Sequence, residues 1–95
     1  MKFLMAVDFT IDEVVAIEEN ITDAISNTLS KFPALVIRNI NYLKKLGVKN
    51  YKEVFIKFRS MFLKDPTKFR DTVEKYEKED LVEKIQKNSD IVEYL

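Results

Sequence analysis

The chain contains no cysteine, no histidine and no tryptophan, and it holds one glycine and two prolines. Without cysteine there are neither disulfides nor thiolate metal sites. Without histidine the commonest general base and the commonest transition-metal ligand are gone. A single glycine cannot build a Gly-rich phosphate loop, and so little turn chemistry argues against an all-β fold. No apolar run approaches the ~20 residues of a membrane span. The stretch Met1–Val7 carries a charge and falls short of the roughly 7–15 apolar residues of a secretory leader. A cytoplasmic protein with no membrane association is the expectation.

What is present is apolar and charged: 46% and 34% of 95 residues. That composition describes a globular domain, too apolar for disorder. A chain of this length buries roughly 60–65% of its unfolded surface as one domain. Net charge is zero, yet unevenly spread. Residues 1–30 carry one base and six acids, residues 31–70 eleven bases and two acids, and residues 71–95 four bases and eight acids. The local charges are therefore −5, +9 and −4. A basic centre between acidic flanks suggests either internal pairing or an anionic partner.

The richest apolar stretch lies inside that basic centre. Tyr51, Val54, Phe55, Phe58, Met61 and Phe62 recur at steps of three and four, which places them on one side of a helix. This helix is expected at the centre of the core. Asn50 and Glu53 have the spacing of its N-cap and reciprocal partner. Before it, Pro33 suits the first position of a helix to Leu46 that Gly47 would end in left-handed geometry. Val36, Ile37, Ile40, Leu43 and Leu46 line that helix, leaving Arg38, Asn41 and Lys45 as its exposed strip. The short connection implies an antiparallel hairpin over residues 33–63.

The flanks follow from cap signals. Thr10 and Glu13 form a capping-box pair opening a helix from Ile11 to about Ser30, with Phe9 and Val14 as a staple. The alternating Phe3, Met5, Val7 and Phe9 suggest an extended N-terminal arm over residues 1–9. Asp65-Pro66 opens a further helix, and a phase slip near Lys78–Asp80 predicts a fifth, recapped by Asp80 and Glu83. Ser89 or Asp90 starts a last turn carrying Ile91, Val92 and Leu95. Glu18 falls inside the apolar sector of its helix. Its head either reaches water, pairs with a base of the middle segment, or serves as a catalytic or ligand-binding acid.

The segment Leu43-Lys44-Lys45-Leu46-Gly47-Val48 and the helix after it resemble the turn of helix-turn-helix DNA readers. The bulky Leu43 stands where such turns carry a small residue, and Glu53 at an apolar position. The hairpin is also similar to repeats of the mitochondrial transcription-terminator family in Asn39-Ile40, Tyr42-Leu43 and Leu46-Gly47-Val48. Pro33 and Pro66 do not keep a repeat spacing, and neither resemblance carries a function over.

The expectation is an all-α, compact single-domain bundle of four to six helices built on the 33–63 hairpin. No nucleophile–base arrangement is legible. Glu18-Glu19 and Glu79-Asp80 are adjacent and diverge on a helix. Asp90 with Glu93, or Glu79 with Glu83, could share a hard cation only without a calcium-type loop. No enzyme activity, cofactor or metal is expected.

Two surfaces stand out instead. Lys52, Ile56, Arg59 and Leu63 form a mixed strip beside the main stripe, suited to an acidic amphipathic helix or a nucleic-acid backbone, or covered by a neighbouring helix with the basic stems lying over it. Arg38, Lys45, Lys49, Lys52, Arg59 and Lys64 are candidate phosphate contacts. The leading reading is a non-enzymatic interaction or regulatory module, binding a protein partner or a second copy of itself. Nucleic-acid binding through residues 31–70 is the alternative.

Overall fold

Six α-helices follow one another among the described residues: α1 (Ile11–Glu19), α2 (Asp23–Lys31), α3 (Pro33–Leu46), α4 (Tyr51–Lys57), α5 (Pro66–Glu74) and α6 (Lys78–Lys87). Three 3-10 segments join them, Lys2–Val7, Arg59–Leu63 and Ser89–Tyr94. The structure is a computed structural model that describes the backbone of residues 1–94 and the side chains of residues 1–93. The part of the last turn assigned to Leu95 lies outside them. The all-α bundle expected from the sequence is what forms.

The cap signals act where they stand. Thr10 accepts the Glu13 N–H at 3.1 Å while Glu13 accepts the Thr10 N–H at 2.8 Å, a complete capping box. Asp65 accepts from Thr67 N–H at 2.9 Å and Pro66 opens α5. At the end of α3, Gly47 takes φ +96°. Its N–H donates to Lys44 O and the Val48 N–H reaches back to Leu43 O, both at 3.1 Å, a closure that needs the left-handed step. Val48 then enters the core, and α4 packs against α3.

Five expectations are corrected. The N-terminal arm is helical rather than extended: Leu4, Val7 and Phe9 are buried while Met5 is 49% exposed. Leu4 and Val7 fit the three-residue turn of a 3-10 helix, where positions i and i+3 eclipse; Asp8, at φ 70°, ends it. The long first helix is two helices. Asn20 caps α1 by donating to Ala16 O at 2.7 Å, and Thr22 accepts the Ile25 N–H to start α2. Unbroken, it would run about 30 Å, longer than two of the molecule's three dimensions of 35, 24 and 22 Å. The start of α6 lies at Lys78, ahead of the expected recap, with no side-chain cap. Asn50 likewise makes no cap bond to α4; its amide donates to Ile85 O at 2.9 Å and fastens α6 to the hairpin.

The fifth correction concerns the central stripe. The helix from Tyr51 stops at Phe58, whose φ −129° and ψ 48° leave helical geometry, and resumes as a 3-10 segment. In a straight helix, positions 55 and 62 are about 10.5 Å apart along the axis. Here the Phe55 and Phe62 rings meet with centroids 5.3 Å apart. The break makes that contact available.

An aromatic chain results. Tyr51 meets Phe9 at 6.3 Å, Phe9 meets Phe55 at 5.7 Å, Phe62 meets Phe69 at 5.5 Å and Phe69 meets Tyr42 at 6.0 Å. Val36, Ile40 and Leu43 of α3 belong to the same core. It is α3, rather than the Tyr51–Phe62 stretch, that touches most of its neighbours: the N-terminal segment, α2, α4, Arg59–Leu63 and α5.

One buried polar side chain holds this arrangement. Asn39 donates through Nδ2 to Phe62 O at 2.8 Å and to Lys64 O at 2.9 Å, satisfying two carbonyls where a helical segment ends. Phe62→Ala removes the ring that joins Phe55 to Phe69 and should cost about 3–5 kcal/mol. Tyr76→Ala, at a 43% exposed position, should cost less than about 0.5 kcal/mol. Asn39→Leu keeps the volume but orphans the carbonyls and should cost about 1–3 kcal/mol. Urea unfolding followed by circular dichroism measures all three.

Candidate interaction surface

Two of the helix ends just described border grooves on one face. Where α1 stops, Ala16, Ile17 and Asn20 line a groove of about 240 Å³ with Glu13 on one side and Ile56 and Arg59 on the other. Where α4 stops, a groove of about 360 Å³ lies between α2 and the Arg59–Leu63 segment. Ala24, Ile25, Thr28 and Leu29 form one wall, and Phe58, Arg59, Ser60 and Leu63 the other. Arg59 lines both. Ile56 and Ile25 stand 44% and 39% exposed at these grooves.

Arg59 is held across the divide. One guanidinium nitrogen donates to Ile56 O at 2.7 Å, and its Nε is buried without a partner. Among the described residues no carboxylate stands within 4.0 Å of it. The remaining charged groups of the grooves are engaged. Glu13 binds Lys52 at 2.9 Å, and Lys57 binds Glu53 at 3.3 Å and Asp90 at 3.1 Å.

The expected strip therefore divides. Ile56, Arg59 and Leu63 do meet at this face. Lys52 does not; it turns to Glu13 and lies 5.4 Å over the Phe9 ring. The α2 wall was hidden from sequence reading because the phase of an uninterrupted helix places Ile25 in the core. Only the Thr22-Asp23 cap signature could have disclosed it.

The candidate phosphate contacts scatter. Arg38 and Lys45 share a depression with Arg70. Lys64 lies in another, with Lys68 and Lys75 but also Asp65 and Asp71. Lys49 is exposed on the turn after α3, Lys52 is paired and Arg59 belongs to the grooves. Helix α4, the counterpart of a DNA-reading helix in the helix-turn-helix comparison, is only seven residues long.

The acidic flanks neutralise part of the basic centre. Asp8 pairs with Lys44, Glu13 with Lys52 and Asp90 with Lys57. Lys44 also lies over the Tyr51 ring. Glu18 keeps its head at the surface, as one reading of it required, and pairs with the Met1 amino group rather than a base of the middle segment. On α6, Asp80 binds Lys84 and Glu83 binds Lys87. The described residues contain no cluster of three acids placed to hold a metal, and no helix among them is long and apolar enough to cross a membrane.

These pairs shift titrations predictably. The hydrogen bond and charge of Lys44 hold the Asp8 carboxyl below the ordinary carboxylate range. Glu13 is lowered chiefly by the Thr10 backbone N–H and then by Lys52, and Glu53 by the Asn50 amide and then by Lys57. Lys44 and Lys57 are raised by Asp8 and Asp90. A depressed carboxylate stabilises the fold above its unfolded pKa and loses that contribution as pH falls through its folded value. The raised lysines contribute below about pH 10.5 and lose it above. Stability should therefore decline as pH drops from about 5 toward 3. Glu13→Gln should be less stable at neutral pH and lose less on acidification, read by urea titrations at each pH.

No family model matches the chain, and no curated protein or solved structure shows a significant match to it.

Proposed function

We propose that the protein is a non-enzymatic interaction module that takes an acidic amphipathic helix into the two grooves flanking Arg59. The observation that carries this reading is the pair of apolar grooves sharing one unpaired cation. Helix-in-groove recognition needs apolar anchors one to two turns apart on the partner and pockets to receive them. Ile17 and Ile56 supply one pocket, Leu29 and Leu63 the other. Arg59 stands between them, and a carboxylate between the anchors would lie against it. Docking is favoured over chemistry because Glu13 and Lys57, the other charged groups of the lining, are already engaged in ion pairs, Glu13 with Lys52 and Lys57 with Glu53 and Asp90.

The test uses a labelled helical peptide with leucines at i, i+4 and i+7 and glutamates between and beside them. Fluorescence anisotropy should show saturable binding, weaker by at least about tenfold (1.4 kcal/mol) with Ile56→Asp/Leu63→Asp. A peptide with the same leucines and lysines in place of glutamates should bind less well to the native protein. Equal binding of both peptides, or of both proteins, would overturn the reading. So would a concentration-dependent dimer abolished by Ile56→Asp, which would make a second copy the occupant.

A further inference from the structure

On the other side of α3 the charge is left unmatched. Arg38, Asn41 and Lys45 lie at steps of three and four and so share one outward strip. Helix α5 packs alongside, with the Phe69 ring edge-on to Tyr42 at 6.0 Å. Asn39 ties the segment leading into α5 to α3 through its two hydrogen bonds. That packing brings Arg70 of α5 to the same open depression as Arg38 and Lys45, about 320 Å³ in volume, with Asn41, Tyr42 and Thr67 also lining it. Among the described residues no carboxylate lines it.

The contrast is with the bases of the middle segment that the acidic flanks neutralise. Lys44, Lys52 and Lys57 each meet an acid from a flank. Among the described residues, neither Arg38 nor Lys45 has an acid within 4.0 Å, and Arg70 has only Glu74 at 3.9 Å. Both members of that last pair are more than half exposed, where ion pairs are worth little. In a chain whose acids equal its bases, Arg38 and Lys45 are left to solvent and Arg70 keeps only that weak partner.

We infer that this depression binds the phosphodiester backbone of a nucleic acid strand, with Arg38, Lys45 and Arg70 as phosphate contacts. Arg38 and Lys45 start two helical turns, about 10.5 Å, apart along the axis, and with Arg70 they spread positive charge over the length of more than one phosphate of a strand. A chain of phosphates matches that spread, and each one neutralised releases condensed counterions. Asn41 and Thr67 add neutral donors for phosphate oxygens. Cations and neutral donors dominate the lining, so the contact is to the backbone and independent of sequence.

Labelled single-stranded and duplex oligonucleotides, followed by fluorescence anisotropy across a salt series, test the assignment. Binding should weaken linearly in log K against log salt. Arg38→Gln/Lys45→Gln/Arg70→Gln should lose at least about tenfold at low salt and lower the slope by about two to three. Arg38→Gln alone should lower it by about one. Lys78→Gln/Lys84→Gln/Lys87→Gln removes the same charge from α6 and should bind within about twofold of the native protein. No binding of either oligonucleotide at low salt would overturn the inference, as would equal losses in the two triple variants. Displacement by inorganic tripolyphosphate at matched phosphate concentration would overturn it in favour of a small polyanion. Ile56→Asp/Leu63→Asp should leave oligonucleotide binding intact, separating this site from the grooves at Arg59.

Discussion

Contact between Phe55 and Phe62 is the constraint on which the rest of the structure turns. Both rings are fully buried, and each continues into another contact, Phe55 with Phe9 and Phe62 with Phe69. The N-terminal segment, α4, the Arg59–Leu63 segment and α5 are thereby linked by one run of rings. Edge-to-face pairs of this kind add about 0.5–1.5 kcal/mol each beyond the area they bury. In a domain of this size, net stability is only about 5–15 kcal/mol. A straight helix would hold the two rings two turns apart. The fold gives up the regular helical ladder beyond Phe58 and gains a continuous core.

The candidate surface is a consequence of that exchange. Ending α4 at Phe58 turns Arg59 and Leu63 toward α2 instead of continuing the face that carries Lys52. The first helix breaks too, at Asn20–Thr22, and α2 sets off in a new direction from its own cap. Two interruptions face each other across the grooves, with Asn20 in the lining of one and Phe58 in the lining of the other. Where helices stop short, side chains from neither side fill the gap completely. Ile25 and Ile56 are left half-exposed as a result.

Much of the helical layout was legible because caps are local. Thr10 with Glu13, Asp65 with Pro66, and Gly47 each act within one turn of their own position, so neighbouring residues suffice to read them. The breaks at Asn20 and Phe58 were not, since neither contains glycine or proline and both answer to packing elsewhere. The N-terminal alternation misled because a short apolar run suits a period of two or of three equally well. Only the burial of Leu4 and Val7 decides it. The same division runs through the surfaces. Ile56, Arg59 and Leu63 follow from helical phase, whereas the loss of Lys52 depends on Glu13, 39 positions away. Arg70 joins Arg38 and Lys45 only because α5 packs on α3.

Zero net charge is a poor guide to such a molecule, because ion pairs cancel charge in place while sums cancel it only on paper. The flanking acids Asp8, Glu13 and Asp90 reach Lys44, Lys52 and Lys57, which lie beside the N-terminal and C-terminal segments. They do not reach the outward strip of α3, whose neighbour is the basic first half of α5. Other acids are engaged within their own helix, as Asp80 and Glu83 are on α6. At physiological salt, interactions between exposed charges fade over about 8 Å. A ligand at Arg38, Lys45 and Arg70 therefore meets the local cations and hardly senses acids on distant helices. Neutrality of the whole and a basic face are compatible, and it is the packing of α5 against α3 that keeps them so.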